Sequence, residues 1–303
     1  MSNIASSELS SGPNPTIVSV IEDVASQLRA AKIGDPRRTA TDIIAALLEV
    51  PRSWPLINRA AVVDRSVAER AGEAARKLAR GAPFAYAVGS AAFRHLNLAV
   101  DERVLIPRAE TEVLVSEIIE RMEATHRDDS SWGTAVDVGT GSGAIALSLA
   151  AEGRFDTVIA TDASLDALAV ARANAEHCGA ALKAKMEFRH GSLLSPLRGV
   201  RASVLVSNPP YIAYSEADAL PASVRDWEPP LALFSGQEGM AATAEIVRNA
   251  VKYLTRGGLL ALEVDERRAS LAAELMMKHG GYTNVGVRLD LTGRERFVFA
   301  SRM

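Results

Sequence analysis

The chain holds one cysteine, Cys178, among 303 residues, so it closes no disulfide within itself, and a reducing compartment is the expectation. No apolar run approaches the ~18 residues of a membrane span. The opening stretch, MSNIASSELSSGPNP, carries no apolar segment of signal-peptide length. A cytoplasmic protein without a membrane partner is therefore expected, with residues 1–15 lacking fixed structure. The five histidines, His95, His126, His177, His190 and His279, never fall three to five residues apart, and no metal site is expected. Basic charge is not in excess, since the formal net charge is −3. That balance argues against a protein whose main affinity comes from neutralising phosphates, and no stable nucleic-acid binding is expected.

Apolar residues are plentiful at 48%, enough for a packed core, and the length suggests two domains. Ile17, Val20, Ile21, Val24 and Leu28 recur at helical spacing. Asp35-Pro36 opens a second helix bearing Ile43, Ile44, Leu47 and Leu48, and Val67 to Arg80 reads as another, closed by Gly81. Residues 16–82 thus read as a small helical bundle whose apolar stripes form its core. Residues 83–110 read as a connector: AAFRHLNLAV and ERVLIP have extended patterns around a polar turn at Asp101-Glu102, which suggests a hairpin.

From residue 111 to 303 helices alternate with short aliphatic strands. TAVDVG, TVIATD, MEFRHG, VLVSNPPYI, GLLALEV, VGVRLDL and RFVFAS make seven strands, and helices fall at 111–123, 144–152, 165–177, 241–254 and 269–279. This alternation predicts an α/β fold with a doubly wound, mostly parallel sheet. The last two strands lie too close for a crossover helix, so they form an antiparallel pair at one edge.

The segment AVDVGTGSGAIALSLA places Gly139, Thr140, Gly141, Ser142 and Gly143 between a strand and a helix. Glycines permit a sharp turn and close approach of a ligand, and the helix start supplies unpaired N–H groups. Asp162, about twenty residues on, ends the next strand, where a carboxylate can hold two ribose hydroxyls. Gly139-x-Gly141-x-x-Ala144 also satisfies the dinucleotide fingerprint, so the loop alone fits a nicotinamide cofactor as well as S-adenosylmethionine. A plain glycine turn with no ligand is the third reading.

Asn208, Pro209, Pro210 and Tyr211 follow the fourth strand. Ligands of open α/β sheets sit at the carboxyl edge of the strands, so this loop and the glycine loop share one edge. The prolines stiffen the backbone and let the Pro209 carbonyl be aimed. Asn208 adds a second acceptor and Tyr211 a flat apolar face. Two acceptors and a face suit a planar NH₂ group, held so that its nitrogen points at an electrophilic methyl group. Catalysis of that kind rests on orientation and preorganised acceptors. A simple strand-ending turn is the alternative.

With these residues in hand, the chain resembles the release-factor glutamine methyltransferases. The resemblance runs through DPRRTATDIIAALL, GAPFAYAVGSAAFRHLNLAV, LIPRAETEVLV, DVGTGSGAIAL, SNPPYI, VRDWEPPLALFSGQEGM and DLTGRERFVFA. It implies a class I S-adenosylmethionine-dependent methyltransferase fold with a helical N-terminal domain that engages class I peptide chain release factors. It also implies methylation of the glutamine amide in a Gly-Gly-Gln motif, with S-adenosylhomocysteine as product and Asn208, Pro209, Pro210 and Tyr211 holding that glutamine. Asn208, Pro209 and Tyr211 would be catalytic. Gly139, Thr140, Gly141, Ser142, Gly143 and Asp162 would bind the methyl donor together with Asn208, and Ser192 and Leu193 would meet its adenine. Ser192 stands where the family often has an acidic residue, Leu193 where a larger ring can occur, Ala109 where proline is common, and LEVDERR lacks the glycine and glutamine often found after its glutamate. Enzymes that methylate exocyclic amines of DNA or RNA bases carry a similar loop, so a nucleobase substrate is the alternative. A non-catalytic binding module is a further one.

Overall fold

The computed structural model describes residues 14–126 and 131–303. The expectation for residues 1–15 falls, through Pro13, outside the described residues. At its end the Pro15 carbonyl accepts a hydrogen bond from Val63 N at 2.9 Å. The chain divides into two compact units, one ending at Val88 and the other spanning Gly89–Met303. Residues 83–110, read from sequence as one connector, are therefore shared between the two units.

The first unit is helical: α1 (Ile17–Ala30), α2 (Pro36–Leu47), α3 (Trp54–Ile57), α4 (Arg65–Ala79) and α5 (Phe84–Val88). Thr16 and Ser19 close the start of α1 as a reciprocal capping box. The stripe Ile17, Val20, Ile21, Val24 and Leu28 is buried against Ile43, Ile44 and Leu47 of α2 and the small side chains Ala71, Ala74 and Ala75 of α4. Each fully buried isoleucine or leucine contributes about 1.5–3 kcal/mol of hydrophobic free energy.

The second unit begins with a hairpin, β1 (Ser90–Phe93) and β2 (Leu96–Ala99), followed by α6 (Ala109–Thr125). The alternation continues with β3 (Thr134–Val138), α7 (Ala144–Glu152), β4 (Thr157–Asp162), α8 (Leu165–Cys178), β5 (Lys185–His190) and β6 (Ala202–Ser207). After β6 come two short helices, α9 (Ala222–Arg225) and α10 (Pro230–Leu233). Last are α11 (Ala241–Asn249), β7 (Leu254–Glu263), α12 (Glu266–His279), β8 (Tyr282–Leu289) and β9 (Glu295–Arg302).

The hairpin differs from the expected one. Its strands pair Ser90 with Ala99 and Phe93 with Leu96, so the hairpin turns at Arg94-His95; the polar turn expected at Asp101-Glu102 is present, with Val104 N donating to the Asp101 carbonyl at 3.1 Å, but it follows the hairpin. Arg94 takes φ 52°, and its guanidinium grips Glu152 through two bonds of 2.7 and 2.6 Å, with further bonds to the Glu112 carbonyl and Ser116. A contact to residues so distant in sequence offsets the cost of a left-handed arginine. The hairpin's own alternation buries Phe93, Leu96 and Leu98.

The seven-stranded sheet runs β5-β4-β3-β6-β7-β9-β8. The first five strands are parallel, and β9 inserts antiparallel between β7 and β8. This is the class I methyltransferase fold that the resemblance implied. Side chains alternate across it with period two. Val204 and Val206 join a core with α6 and α7, while Leu205 joins one with α11 and α12. The reversal of winding direction lies at β3, whose neighbours are β4 and β6, so the carboxyl ends of these strands frame the crevice where such folds bind ligands.

Candidate active site

The turn after β3 needs its glycines. Gly139, Gly141 and Gly143 have φ of 75°, 55° and 88°, in the left-handed region that other residues rarely enter. The amides of Gly139 and Thr140 both donate to the Thr161 carbonyl at 2.9 Å, which ties the turn to β4. Asp162 then locks the arrangement: Oδ2 accepts from Gly141 N and Oδ1 from Ser164 N, each at 2.9 Å. Its carboxylate is thus held in place by two backbone amides.

Beneath the turn lies Asp137, wholly buried. Its Oδ2 accepts from Thr140 Oγ1 at 2.7 Å and from Ala146 N at 3.2 Å. Oδ1 has no hydrogen-bond partner among the described residues. Burial pushes this carboxyl up to about 7 against those two hydrogen bonds, and the Asp162 charge adds to the rise. Asn174 of α8 braces the same turn from the side. Its Nδ2 donates to the carbonyls of Ser142 and Ala99, and its Oδ1 accepts from Ala99 N.

Two cavities open at this edge. The larger, about 410 Å³, is lined by Gly139, Gly141, Asp162, Ser192, Leu193, Asn208 and Pro210 together with Phe234 and Arg103. The smaller, about 190 Å³, is lined by Arg108, Asn208 and Tyr211 with apolar neighbours. Asn208, Leu105 and Ala232 line both, and Asn208 is the polar one of the three.

The predicted residues therefore divide. Gly139, Gly141, Asp162, Ser192, Leu193, Asn208 and Pro210 meet at the larger cavity, and Asn208 and Tyr211 at the smaller. Thr140, Ser142, Gly143 and Pro209 line neither cavity. Thr140 and Ser142 are buried under the turn, and Gly143 packs where a Cβ would sit 3.1 Å from Leu147 Cδ1. Pro209 is buried as well. Leu193 itself adopts φ 46°, which turns it at the cavity wall.

Several site residues lay beyond the sequence reading. Arg108 donates to Glu228 at 2.6 Å; the Glu228 side chain is 1% exposed and its Oε2 has no partner among the described residues. Both sit inside quoted motifs, LIPRAETE and VRDWEPP, but nothing local pairs them. Thr111, on the first turn of α6, receives Asn208 Nδ2 at 3.4 Å. Glu263 closes β7 as a buried carboxylate, with Arg296 of β9 nearby. A carboxylate ending an apolar strand at the carboxyl edge was the one legible signal. Tyr211 keeps its phenolic proton: burial, and then the Glu263 charge, push its hydroxyl up to about 12 against Arg296 and Arg108. Phe234 stacks on Tyr214 at 5.4 Å between centroids and forms part of the larger cavity's wall.

The donor set suits a nucleoside-bearing ligand. A fixed carboxylate for hydroxyls, an open glycine backbone and apolar walls line one cavity of ligand size. Gly139 and Gly141 have no heavy atom within 4 Å of where a Cβ would stand, so their backbone is bare on that side. No metal-binding group of three or more histidine, cysteine or acidic side chains occurs among the described residues. None of their helices is long and apolar enough to cross a membrane.

Residues 111–222 match a family described as methyltransferase small domain, and residues 19–89 match the PrmC N-terminal domain. A release factor glutamine methyltransferase of Moorella thermoacetica is 37% identical over 287 residues, covering 95% of this chain and 99% of that protein. A protein of the same name from Rhodopirellula baltica is 38% identical over 227 residues, covering 75% and 76%. One from Deinococcus radiodurans is 34% identical over 284 residues, covering 93% and 97%.

Proposed function

The chain belongs to the release factor glutamine methyltransferase family, and on that premise we propose that it methylates the side-chain amide nitrogen of the glutamine in the Gly-Gly-Gln motif of class I peptide chain release factors. The observation that carries this reading is the position of Asn208 as the polar wall common to both cavities. The larger cavity suits S-adenosylmethionine, with Asp162 at the ribose, Ser192 and Leu193 at the adenine, and the Gly139–Gly141 backbone alongside. The smaller suits a glutamine side chain entering between Tyr211 and Arg108.

S-adenosylmethionine, when bound, supplies an electrophilic methyl group. The rest falls to the chain. An amide nitrogen is a poor nucleophile because its lone pair is delocalised. Asn208 Oδ1 accepts one amide hydrogen and, as the family resemblance implies, the carbonyl of the buried Pro209 beside it takes the other, which raises electron density on nitrogen and fixes its direction. Tyr211, held as a neutral phenol, offers its ring face to the amide plane. Apolar walls from Leu105 and Ala232 keep water from competing for those acceptors. The helical first unit, which holds none of these residues, serves to engage the release factor. The protein partner and the single cysteine both favour a cytoplasmic location.

The test is a competition with labelled methyl donor among release factor, its Gln→Asn variant and a DNA duplex. Label is expected on the glutamine-bearing peptide, with one added methyl group by mass spectrometry. An asparagine would leave its amide more than ~1 Å short of the acceptors, a large loss for an orientation-driven reaction. A base in a duplex would first have to be flipped out, at a cost of a few kcal/mol. Label mainly on DNA, or equally on the Asn variant, would overturn the reading.

Residues 89–303 produced alone should bind S-adenosylmethionine as the full chain does and methylate release factor poorly. Circular dichroism establishes that the fragment is folded, and steady-state kinetics on full-length release factor give the comparison. Unchanged kinetics would remove the engagement role from the first unit.

A further inference from the structure

We propose that Glu263 and Thr111 are positioning residues that fix which end of the Asn208 side-chain amide faces the substrate. The inference deepens the functional reading above and rests on it for the identity of the substrate amide.

A side-chain amide is nearly symmetric in shape, so packing alone hardly distinguishes its two orientations. Chemically they are opposites. With Oδ1 toward the smaller cavity, Asn208 accepts a hydrogen from a substrate NH₂. With Nδ2 there, it presents donors to donors and the site is inert. An enzyme that depends on this acceptor needs something that reads the two ends of the amide.

Glu263 and Thr111 supply it. Ser207 of β6 pairs with Leu262 of β7, so the parallel register carries Asn208 and Glu263 out of the sheet side by side. Thr111 comes from the start of α6 and is 5% exposed. Asn208 Nδ2 donates to Thr111 Oγ1 at 3.4 Å, and the Thr111 and Asn208 side chains both lie close enough to the Glu263 carboxyl to hold its proton affinity down. An ionised carboxylate only accepts. From Thr111 beside it, it can take only the single hydroxyl proton, and Thr111 so aimed meets Asn208 with lone pairs that can only accept. Both neighbours thus demand the NH₂ end, and Oδ1 is the end left to the cavities. Direction passes from a charge that has no donor form to the atom that meets the substrate.

Glu263 is 1% exposed, and its Oε2 has no hydrogen-bond partner among the described residues. A carboxylate buried so deeply for packing alone would be costly. The charged and titratable groups facing it are Arg296 from β9, Glu110 from α6 and Tyr211 from the loop after β6. Arg296 is in turn 3.5 Å from Asp290, so part of its charge is spent there. Burial lifts the Glu263 carboxyl to about 7, with Glu110 adding to the rise and Thr111, Arg296 and Asn208 opposing it. Above that pH the carboxylate is acceptor-only and the amide is locked. Below it the group gains an O–H donor and the lock is lost, so transfer falls as pH drops through about 7.

The experiment combines kinetics with a signal that needs no turnover. Glu263→Gln and Thr111→Val are expected to lower kcat between about tenfold and a hundredfold, as misdirection of a reacting group does. KM for release factor and the dissociation constant for S-adenosylmethionine should change little. Thr111→Ser, which keeps the hydroxyl, should recover most of the rate, and Glu263→Gln should abolish the acid limb of the wild-type kcat profile. In ¹⁵N-labelled protein, the Asn208 side-chain NH₂ signals, identified by their loss in Asn208→Asp, should shift with pH through Glu263 ionisation in the wild type and not in Glu263→Gln. NH₂ signals indifferent to both pH and Glu263→Gln would overturn the inference, as would a Glu263→Gln enzyme with wild-type kcat and an intact acid limb. If the wild type transfers no methyl to release factor, the functional reading fails, while the NH₂ signals still decide this one.

Discussion

Asn208→Ala lowers kcat for methyl transfer by about a hundredfold or more, the usual cost of removing one preorganised acceptor or donor from a reacting centre. The affinity for S-adenosylmethionine changes far less, because Asn208 is one wall of a cavity whose fixed carboxylate and glycine backbone remain. The substitution also removes the amide that donates to Thr111 and lies beside Glu263. Glu263 then faces an emptier space, and water entering there would compete for the Pro209 carbonyl. Single-turnover kinetics, with calorimetric titration of the methyl donor on the same preparation, separate the two effects. Near wild-type turnover on release factor would mean that Asn208 is not the group that holds the nitrogen.

Asp162→Ala weakens S-adenosylmethionine binding by about 1.5–3 kcal/mol for each charge-assisted hydrogen bond lost to the ribose hydroxyls. The structure adds a second loss. Asp162 is the acceptor for Gly141 N and Ser164 N, so its removal frees the glycine turn as well as the hydroxyl contacts. Asp162→Asn keeps an acceptor for one of those amides and is expected to fall between the wild type and alanine. Titration calorimetry gives the affinities directly. Binding of S-adenosylmethionine unaffected by Asp162→Ala, or tight NADH binding with none for S-adenosylmethionine, would reverse the choice of ligand. The glycine spacing by itself left that choice open.

The elements that were legible share one property: each depends on residues close in sequence. The strand–glycine–helix unit is contained in residues 134–152, and α7 falls at Ala144–Glu152, the span its apolar run indicated. α8 and the parallel strands follow from the same local alternation. Misreadings occurred where a distant partner sets the outcome. The polar turn at Asp101-Glu102 forms but does not join the hairpin's strands: Glu152 holds Arg94 in a left-handed conformation, and the hairpin turns at Arg94-His95, seven residues upstream. The helix expected over 241–254 is α-helical to Asn249 and continues as a 3₁₀ turn to Lys252, and it goes no further because Leu254 already pairs with Ala202 of β6 and starts β7. Residues 213–236 had no periodicity to read. They form short turns and helices that bring Phe234, Pro229 and Leu231 to the larger cavity.

By itself the sequence determined the class of fold and the donors, acceptors and charges on offer. A glycine turn, an acidic strand end and a stiff Asn-Pro-Pro-Tyr loop carry their meaning in backbone freedom, charge and donor count, which are properties of the residues themselves. Tertiary structure decided how those parts are set against one another. Only the strand order β4-β3-β6-β7 makes Asp162, Gly141, Asn208 and Glu263 neighbours at one edge. Only burial turns Glu263 from an ordinary carboxyl into one poised near neutrality. Thr111, Asn208 and Glu263 come from α6, the loop after β6 and the end of β7, and no local pattern in a sequence encodes a cluster drawn from three such segments. Register and burial arise from packing the whole sheet, so the buried carboxyl beside Asn208 becomes visible only once the chain is folded.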